Sequence, residues 1–121
     1  MNGYDAVVDI LKKEGFEWIA CFPANPLIEA AGKGGLRPIV FRQERGGIMA
    51  ADGYARMLAK EGKRGVFCSQ GGPGIENSFG GFAQAWAEAV PVLYLPAGSP
   101  ANVAEVKPNF DPQTNFAHIT K

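Results

Sequence analysis

The segment 38–56, PIVFRQERGGIMAADGYAR, constrains the fold more than any other part of the chain. Residues 39–41 form an apolar run without alternation, which is typical of a strand buried on both faces of a parallel sheet. Apolar residues then recur at helical spacing, which predicts a helix from about Glu44 to about Lys60. Glu44 is therefore expected at the carboxyl end of a strand and at the start of a helix.

This position gives Glu44 two interpretations. In open α/β sheets, ligands bind in the crevice beyond the carboxyl ends of the strands, so Glu44 is a candidate binding residue. A glutamate in the first turn of a helix also complements the helix macrodipole, and it needs no ligand for that. Position alone favours the second interpretation.

Helix and strand patterns alternate along the rest of the chain. Residues 3–13 predict an amphipathic helix, 17–22 a short strand, and a second helix capped by Asn25 runs through Ala31. GVFCS predicts a third strand, a helix opens at the following Gly71-Gly72-Pro73-Gly74 loop, and 91–95 predicts a fourth strand. The segment 99–121 is rich in proline and asparagine and is expected to be an extended loop.

Composition excludes several classes of function. The chain has 121 residues, enough for one domain, with 12 basic and 12 acidic side chains. This balance provides no basic surface for nucleic acid, and no apolar stretch is long enough to cross a membrane. The N-terminus lacks a signal-peptide pattern. We expect a soluble cytoplasmic protein that binds neither nucleic acid nor membrane.

The cysteines and the histidine do not indicate a metal site. Cys21 and Cys68 fall in predicted strands and are not spaced as zinc ligands, so buried free thiols are expected. His118, the single histidine, has no second histidine to share a metal ion with. No metal ligands are therefore predicted in this chain.

The glycine-rich loop after the third strand is a candidate ligand site. A glycine-rich turn between a strand and a helix can present backbone N–H groups to phosphate. The loop lacks the GK[ST] of a Walker motif and is not a GxGxxG sequence. A generic nucleotide-binding α/β domain therefore remains one alternative.

Two blocks of sequence resemble a known family. RQERGGIMAADGYAR and SQGGPGIENSFGGFAQAWAEAVPVLYLPAG are similar to the pyrimidine-binding domain of thiamine diphosphate enzymes, notably the acetolactate synthase and pyruvate decarboxylase group. The blocks have the order and spacing of that family. The resemblance implies an α/β fold with three α/β/α layers and a mostly parallel central sheet.

The resemblance also implies roles for individual residues. Glu44 matches the glutamate that contacts N1′ of the cofactor aminopyrimidine and so activates thiamine diphosphate, while Gly72, Pro73 and Gly74 would shape the pyrimidine pocket. Asn77 matches the family's asparagine beside this pocket. For Asn77, hydrogen bonding within the loop or a subunit contact is favoured over direct contact with the cofactor.

Four further residues are candidates for the substrate side of the site. Phe110 and Gln113 resemble, loosely, a phenylalanine and a glutamine that the family brings to its active site. Gln43 stands where the family often has a histidine, and Pro23 belongs to FPANP, which replaces the family's glycine-rich turn. These departures concern substrate specificity.

The resemblance covers one domain of a larger catalytic unit. In the family, a second domain holds the diphosphate and its Mg²⁺, and this chain contains no counterpart of that domain's GDG motif. We therefore expect 1–121 to be a single pyrimidine-binding domain that is incomplete at its C-terminus and inactive alone. The expected substrate is a 2-oxo acid, and the expected partner is a second copy or another chain carrying the diphosphate-binding domain.

Two alternatives to this assignment remain open. One is a stand-alone subunit of a split enzyme, as in sulfopyruvate decarboxylase, or a fragment of a longer enzyme. The other is a non-catalytic interaction module that retains the fold and the association surface.

Overall fold

Helices and strands alternate through the described part of the chain. The computed structural model describes residues 2–22, 26–104, 106 and 111–121. The helices are α1 Gly3–Lys13, α2 Pro26–Lys33, α3 Glu44–Met57, α4 Pro73–Ala87 and α5 Pro112–Phe116. The strands are β1 Trp18–Phe22, β2 Arg37–Val40, β3 Gly65–Ser69 and β4 Val92–Pro96. Two 3-10 turns occur at Ala59–Glu61 and Ala101–Val103. Asn25, the predicted cap of the second helix, lies outside the described residues.

The four strands form one parallel sheet in the order β2-β1-β3-β4. β3 is buried along its whole length, and the middle three residues of β1 are also buried. Helices cover both faces of the sheet, because a parallel sheet of this kind buries both sides. The predicted three-layer α/β/α fold is confirmed.

Each face of the sheet has its own core. On the first face, α1 and α2 pack aliphatic side chains against alternate residues of β1 and β3, among them Ile19, Cys21, Val66 and Cys68. On the second face, α3, α4 and α5 pack against the intervening residues, Ala20 and Phe67 included. We refer to these sides as the first face and the second face.

The strand that precedes α3 corrects one prediction. β2 was expected to be buried on both faces, but it forms an edge of the sheet and pairs with β1 alone among the described strands. Its Val40 is 63% exposed. A continuous apolar run does not distinguish a central strand from an edge strand, so this prediction was wrong.

The predicted helix at Glu44 is present but shorter than expected. α3 begins at Glu44 and ends at Met57, and a 3-10 turn follows before Gly62 adopts a left-handed conformation with φ of 70°. Glycine takes this conformation without steric cost. The turn at Gly62 directs the chain back into β3.

The C-terminal segment was expected to be an extended loop and in part is not. Asp111 caps α5 by accepting hydrogen bonds from the backbone N–H groups of Gln113 and Thr114. Phe116 of α5 is buried and packs edge-on against Phe79, with ring centroids 5.1 Å apart. One buried aromatic side chain and one aspartate cap therefore place this short helix on the second face.

The described residues contain no helix that is both long and apolar enough to cross a bilayer. They also contain no group of three or more side chains arranged to hold a metal ion. Cys21 and Cys68 are directly paired in neighbouring strands and are buried free thiols, as predicted. Their mutual hydrogen bond and burial raise the pKa of the Cys68 thiol.

Candidate cofactor site around Glu44

Glu44 lies at the carboxyl edge of the sheet. The chain moves outward from β1 to β2 on one side and from β3 to β4 on the other, so the strand order reverses between β1 and β3. α3 packs on both of these strands, and Glu44 is its first residue. This is the crevice in which open α/β sheets bind ligands.

The carboxyl group of Glu44 is held inside the protein. The residue is only 4% exposed. Asn77 Nδ2 donates a hydrogen bond to Glu44 Oε2 at 2.6 Å. A buried carboxyl group needs such partners, because burial removes it from water. The start of α3 also provides a favourable local field for negative charge.

Gly74 makes room for the other oxygen of this carboxyl group. A Cβ atom on Gly74 would lie 2.8 Å from Glu44 Oε1 and 2.7 Å from Gln70 Cγ. Both distances are too short for ordinary contacts. The absence of a side chain at residue 74 therefore allows the close approach between α4 and Glu44.

The turn between β3 and α4 has an unusual backbone. Gly72 is the N-cap of α4, with φ of 62° and ψ of −122°, and makes no side-chain capping bond. Pro73 follows at the first helical position, where its missing N–H costs nothing. A Cβ on Gly71 would lie 2.9 Å from the Ala97 carbonyl oxygen. The turn thus uses three glycines for conformation or close packing.

Close contacts between α3 and α4 bring Glu44 and Asn77 together. A Cβ on Gly81 of α4 would lie 2.4 Å from Cγ2 of Ile48 in α3. Arg56 of α3 bonds both Asp52 in its own helix, at 3.0 Å, and Glu88 beyond the end of α4. Gly81 allows α3 and α4 to pack closely, and the bonds of Arg56 join the two helices near their C-terminal ends. Together these contacts set the relative position of α3 and α4.

A group of hydroxyls lies behind the turn and was missed by the sequence analysis. The hydroxyl of Tyr94 in β4 is 2.7 Å from Ser69 Oγ and 3.0 Å from Ser78 Oγ. Both serines are fully buried. A serine at the end of an otherwise apolar buried strand was an available signal for Ser69. No sequence pattern connects Tyr94 to either serine.

The remaining predicted site residues differ in their position relative to Glu44. Gln43 precedes Glu44 as the exposed N-cap of α3, without a side-chain capping bond. Gln113 is exposed in the first turn of α5, and no described contact joins it to Glu44. Pro23 and Phe110 lie outside the described residues. The structure therefore brings together Glu44, Gly74 and Asn77, with Gly72, Pro73 and Gln43 as their chain neighbours.

Exposed residues flank the buried Glu44, which lies outside the two described cavities. Asn77 and Pro73 are exposed beside the buried Glu44. The larger of the two described cavities, about 630 Å³, lies near Phe16, Trp86 and Leu93, and Glu44 lines neither cavity. A carboxyl group placed in this way can hydrogen-bond the edge of a flat polar ring that a second surface holds against it.

Sequence comparisons relate the chain to known proteins. The chain is 36% identical over 98 residues to the acetolactate synthase isozyme 2 large subunit of Escherichia coli strain K12, which covers 78% of the chain and 17% of that protein. It is 32% identical over 98 residues to the chloroplastic acetolactate synthase of Arabidopsis thaliana, covering 78% of the chain and 14% of the relative.

A third relative is the probable acetolactate synthase large subunit of Methanocaldococcus jannaschii, 34% identical over 106 residues, or 85% of the chain and 17% of that protein. The chain thus matches less than a fifth of the length of these relatives. Residues 1–119 match the family described as "Thiamine pyrophosphate enzyme, N-terminal TPP binding domain". The chain belongs to this family of thiamine diphosphate-dependent enzyme domains.

Proposed function

We propose that this chain provides the pyrimidine-binding half of a thiamine diphosphate-dependent enzyme that acts on a 2-oxo acid. The observation that carries the proposal is the buried carboxyl group of Glu44, enclosed between Gly74 and Asn77 at the carboxyl edge of the sheet. Similarity to three acetolactate synthases supports decarboxylation followed by transfer to an acceptor.

The residues present fit an aminopyrimidine ring. Such a ring is flat and carries a nitrogen, N1′, that forms one hydrogen bond at its edge. Glu44 supplies a carboxyl group for that bond, and Gly74, which has no side chain, lies close to its Oε1. The glycine turn at Gly72 and Gly74 offers little side-chain volume, which suits a ring lying against backbone.

Each residue has a distinct task in this proposal. When bound, thiamine diphosphate would supply a nucleophilic thiazolium carbon for the carbonyl of the 2-oxo acid. Glu44 shares or transfers a proton at Oε1, the oxygen beside Gly74, as a general acid/base group. Asn77 holds Oε2 and so fixes the direction of the carboxyl group. Gly72, Pro73 and Gly74 shape the surface on which the ring lies.

A second domain completes the site in this proposal. It holds the cofactor diphosphate with Mg²⁺ and comes from the same protein, a second copy or another chain. Met49 of α3 is 47% exposed and Phe79 of α4 is 39% exposed, and these helices begin at the site. Exposed apolar side chains on helices that begin at a polar site are suited to burial by a partner surface.

The first test measures what the chain contributes to binding. Calorimetric titration of the 121-residue chain with thiamine diphosphate and Mg²⁺ is expected to give no tight binding, since the described residues contain no group of side chains arranged to hold the Mg²⁺ that accompanies the diphosphate. Adding the diphosphate-binding domain of an acetolactate synthase-like protein is expected to restore binding. Tight Mg²⁺-dependent binding by the chain alone would contradict the need for a second domain.

The second test addresses Glu44 directly. In the assembled enzyme, Glu44→Gln is expected to lower kcat by about 1,000-fold, because it removes a general acid/base group while retaining size. Glu29→Gln is the matched control, since Glu29 is an exposed glutamate in the first turn of α2 on the other face. Equal activity of Glu44→Gln and the control would overturn the assignment.

The same assembly separates the alternatives. A non-catalytic interaction module would associate with its partner normally and show the same turnover with Glu44→Gln as with the unchanged chain. A nucleotide-binding domain would bind a nucleoside triphosphate in competition with thiamine diphosphate. Turnover that depends on Glu44 and is insensitive to nucleotide would support the proposal against both.

A further inference from the structure

Tyr94 lies in the middle of the aromatic cluster on the second face. Its ring stacks on Phe67, with centroids 5.7 Å apart and 12° between the planes. It also packs against Phe82 at 4.2 Å and Phe116 at 5.7 Å between ring centroids. Aromatic contacts on several sides hold the ring, so the phenolic hydroxyl has a defined position.

The hydroxyl of Tyr94 connects the strand before the β3–α4 turn to the helix after it. Ser69 is the last residue of β3, and Ser78 lies in the second turn of α4. Their Oγ atoms lie 2.7 Å and 3.0 Å from the Tyr94 hydroxyl oxygen. We call these three hydroxyl groups the hydroxyl bridge. It joins a strand end to a helix across the eight residues of the turn region 70–77.

The proton arrangement makes Tyr94 the donor that this bridge needs. Ser69 Oγ donates to the Gln70 carbonyl at 3.1 Å, and Ser78 Oγ donates to the Ile75 carbonyl at 2.7 Å. In the arrangement with both serine protons directed to these carbonyls, the Tyr94 hydroxyl is the donor toward the serine oxygens. Burial raises the pKa of the Tyr94 hydroxyl, and the charge of Glu44 adds to the increase. The hydroxyl therefore remains protonated at neutral pH.

The start of α4 lacks a side-chain cap. Its N-cap is Gly72, which makes no side-chain hydrogen bond to α4. Glycine-rich segments lose more conformational freedom on ordering than other segments, so their geometry depends on outside contacts. The same turn region carries Gly74 and Asn77, the two residues that contact Glu44.

We propose that Tyr94 is a positioning residue whose hydroxyl joins the end of β3 to the second turn of α4. By fixing the start of α4, it keeps Asn77 and Gly74 against the carboxyl group of Glu44. The proposal rests on the role proposed above for Glu44. Tyr94 itself does not touch Glu44 in the described contacts, so its action is exerted through the turn.

The side-chain amide of Asn77 provides a direct readout without cofactor. In nitrogen-15 spectra of the 121-residue chain, Tyr94→Phe is expected to shift the Asn77 side-chain amide resonances. It is also expected to speed their hydrogen exchange by about tenfold, since the bond to Glu44 opens more often. Tyr54→Phe is the matched control, because Tyr54 lies in α3 with its ring packed edge-on against Trp18. The control is expected to leave Asn77 unchanged.

A second variant tests the same bridge from its other end. Ser69→Ala removes the bridge at β3, eight residues from Asn77 in sequence, and is expected to reproduce the change at Asn77. The double variant Tyr94→Phe with Ser69→Ala is expected to change Asn77 no more than Tyr94→Phe alone, because both cut one connection. Additive changes in the double variant would overturn the proposal.

A merely structural role gives a different result. Tyr94→Phe would then lower Tm by about 5 °C and leave the Asn77 resonances and their exchange where they were, which would overturn the proposal. In the assembled enzyme, the positioning role predicts a loss of about tenfold in kcat with little change in KM for the 2-oxo acid. If Tyr94→Phe lowers the stability of the chain but leaves kcat of the assembled enzyme unchanged, the positioning role is contradicted.

The result for Tyr94→Phe can be separated from a failure of the role proposed for Glu44. The Asn77 readout uses the chain without cofactor, so it reports on the turn whatever Glu44 does in catalysis. If Glu44→Gln has no effect on turnover while Tyr94→Phe still shifts Asn77, the bridge exists but the role of Glu44 is wrong. If Glu44→Gln abolishes turnover while Tyr94→Phe shifts nothing, the proposal for Tyr94 alone fails.

Discussion

The two faces of the sheet are built on different chemistry. The first face is packed almost wholly with aliphatic side chains from α1, α2 and the strands beneath them. The second face is packed by aromatic rings and glycines, and it holds all four buried polar side chains found among the described residues: Glu44, Asp52, Ser69 and Ser78. The two faces share one sheet, so the difference arises from the helices and loops that each face receives.

This difference separates residues that maintain the fold from residues that form the site. α1 follows local rules closely, with Asn2 and Asp5 forming a reciprocal capping box at its start. α4 begins instead at a glycine with positive φ and no capping side chain. Departures from local rules concentrate at functional sites, where a neighbouring contact compensates for them. On the second face, that compensation comes from the hydroxyl bridge and from close helix packing.

The largest expected effect is a loss of stability on the first face. Ile19 is fully buried in β1, so Ile19→Ala is expected to lower the free energy of unfolding by about 4 kcal/mol through lost burial and a residual cavity. Chemical denaturation measures the change. Ile10→Ala is the control, because Ile10 is 59% exposed in α1 and should cost much less. A shift of the Asn77 resonances in a folded Ile19→Ala chain would show that the two faces are not separable.

The second prediction concerns activity without a matching loss of stability. In Gly74→Ala, the new Cβ would lie 2.8 Å from Glu44 Oε1, at the end of that side chain, and 2.7 Å from Gln70 Cγ, so we expect both side chains to shift and the Glu44 carboxyl group to be displaced. We expect kcat of the assembled enzyme to fall by about 100-fold, as misplacement of a catalytic group by about 1 Å can do. The free energy of unfolding should stay within about 1 kcal/mol, since alanine is the better helix former.

Gly53→Ala is the control for this variant. Gly53 lies in α3, the helix of Glu44, and a Cβ there would meet nothing within 4 Å. Both variants make the same chemical change in a helix, and only one of them faces the carboxyl group. Comparable kcat values for the two would show that Gly74 does not shape the site.

The sequence predicted the fold better than it predicted the position of each strand. The alternation of patterns and the family resemblance gave the three-layer architecture, and GVFCS was located at the observed β3. The apolar run at 39–41 gave a wrong prediction of burial, because the burial of a strand depends on whether other strands pair with both of its edges. Among the described strands, β2 has a partner on one side only. The helix α5 depends on the contact of Phe116 with a distant ring, which no local pattern reveals.

The sequence indicated individual residues of the candidate site, whereas the contacts between distant residues required the structure. Glu44 and the glycine turn are marked by local sequence, since a strand end, a helix start and glycines leave short-range patterns. The bond from Asn77 to Glu44 joins residues 33 positions apart, and the bridge from Tyr94 to Ser69 joins residues 25 apart. These contacts follow from how α4 and β4 pack, so only the three-dimensional structure shows them.

The third prediction tests how tightly the second face is packed. A Cβ on Gly81 would lie 2.4 Å from Ile48 Cγ2 and 3.0 Å from Cγ1, inside a helix contact with no free space. Gly81→Ala is expected to lower the free energy of unfolding by about 2 kcal/mol through overpacking. In an Ile48→Ala background both of these carbons are gone, so adding Gly81→Ala should then cost less than about 0.5 kcal/mol. Equal costs in both backgrounds would contradict this account of the contact.

The smallest expected effect distinguishes a free surface from a functional one. Gly80 lies next to Gly81 but faces outward from α4, and a Cβ there would meet nothing within 4 Å. In the 121-residue chain, Gly80→Ala is expected to raise the free energy of unfolding by about 0.7 kcal/mol, because alanine loses less backbone entropy in a helix.

The exposed ring of Phe79 lies beside Gly80, on the surface proposed to receive a second domain. If that surface is buried on assembly, the same variant should weaken association with the diphosphate-binding domain while it stabilises the chain. An increase in stability with unchanged association would place the partner elsewhere and leave the second face specialised only for the site around Glu44.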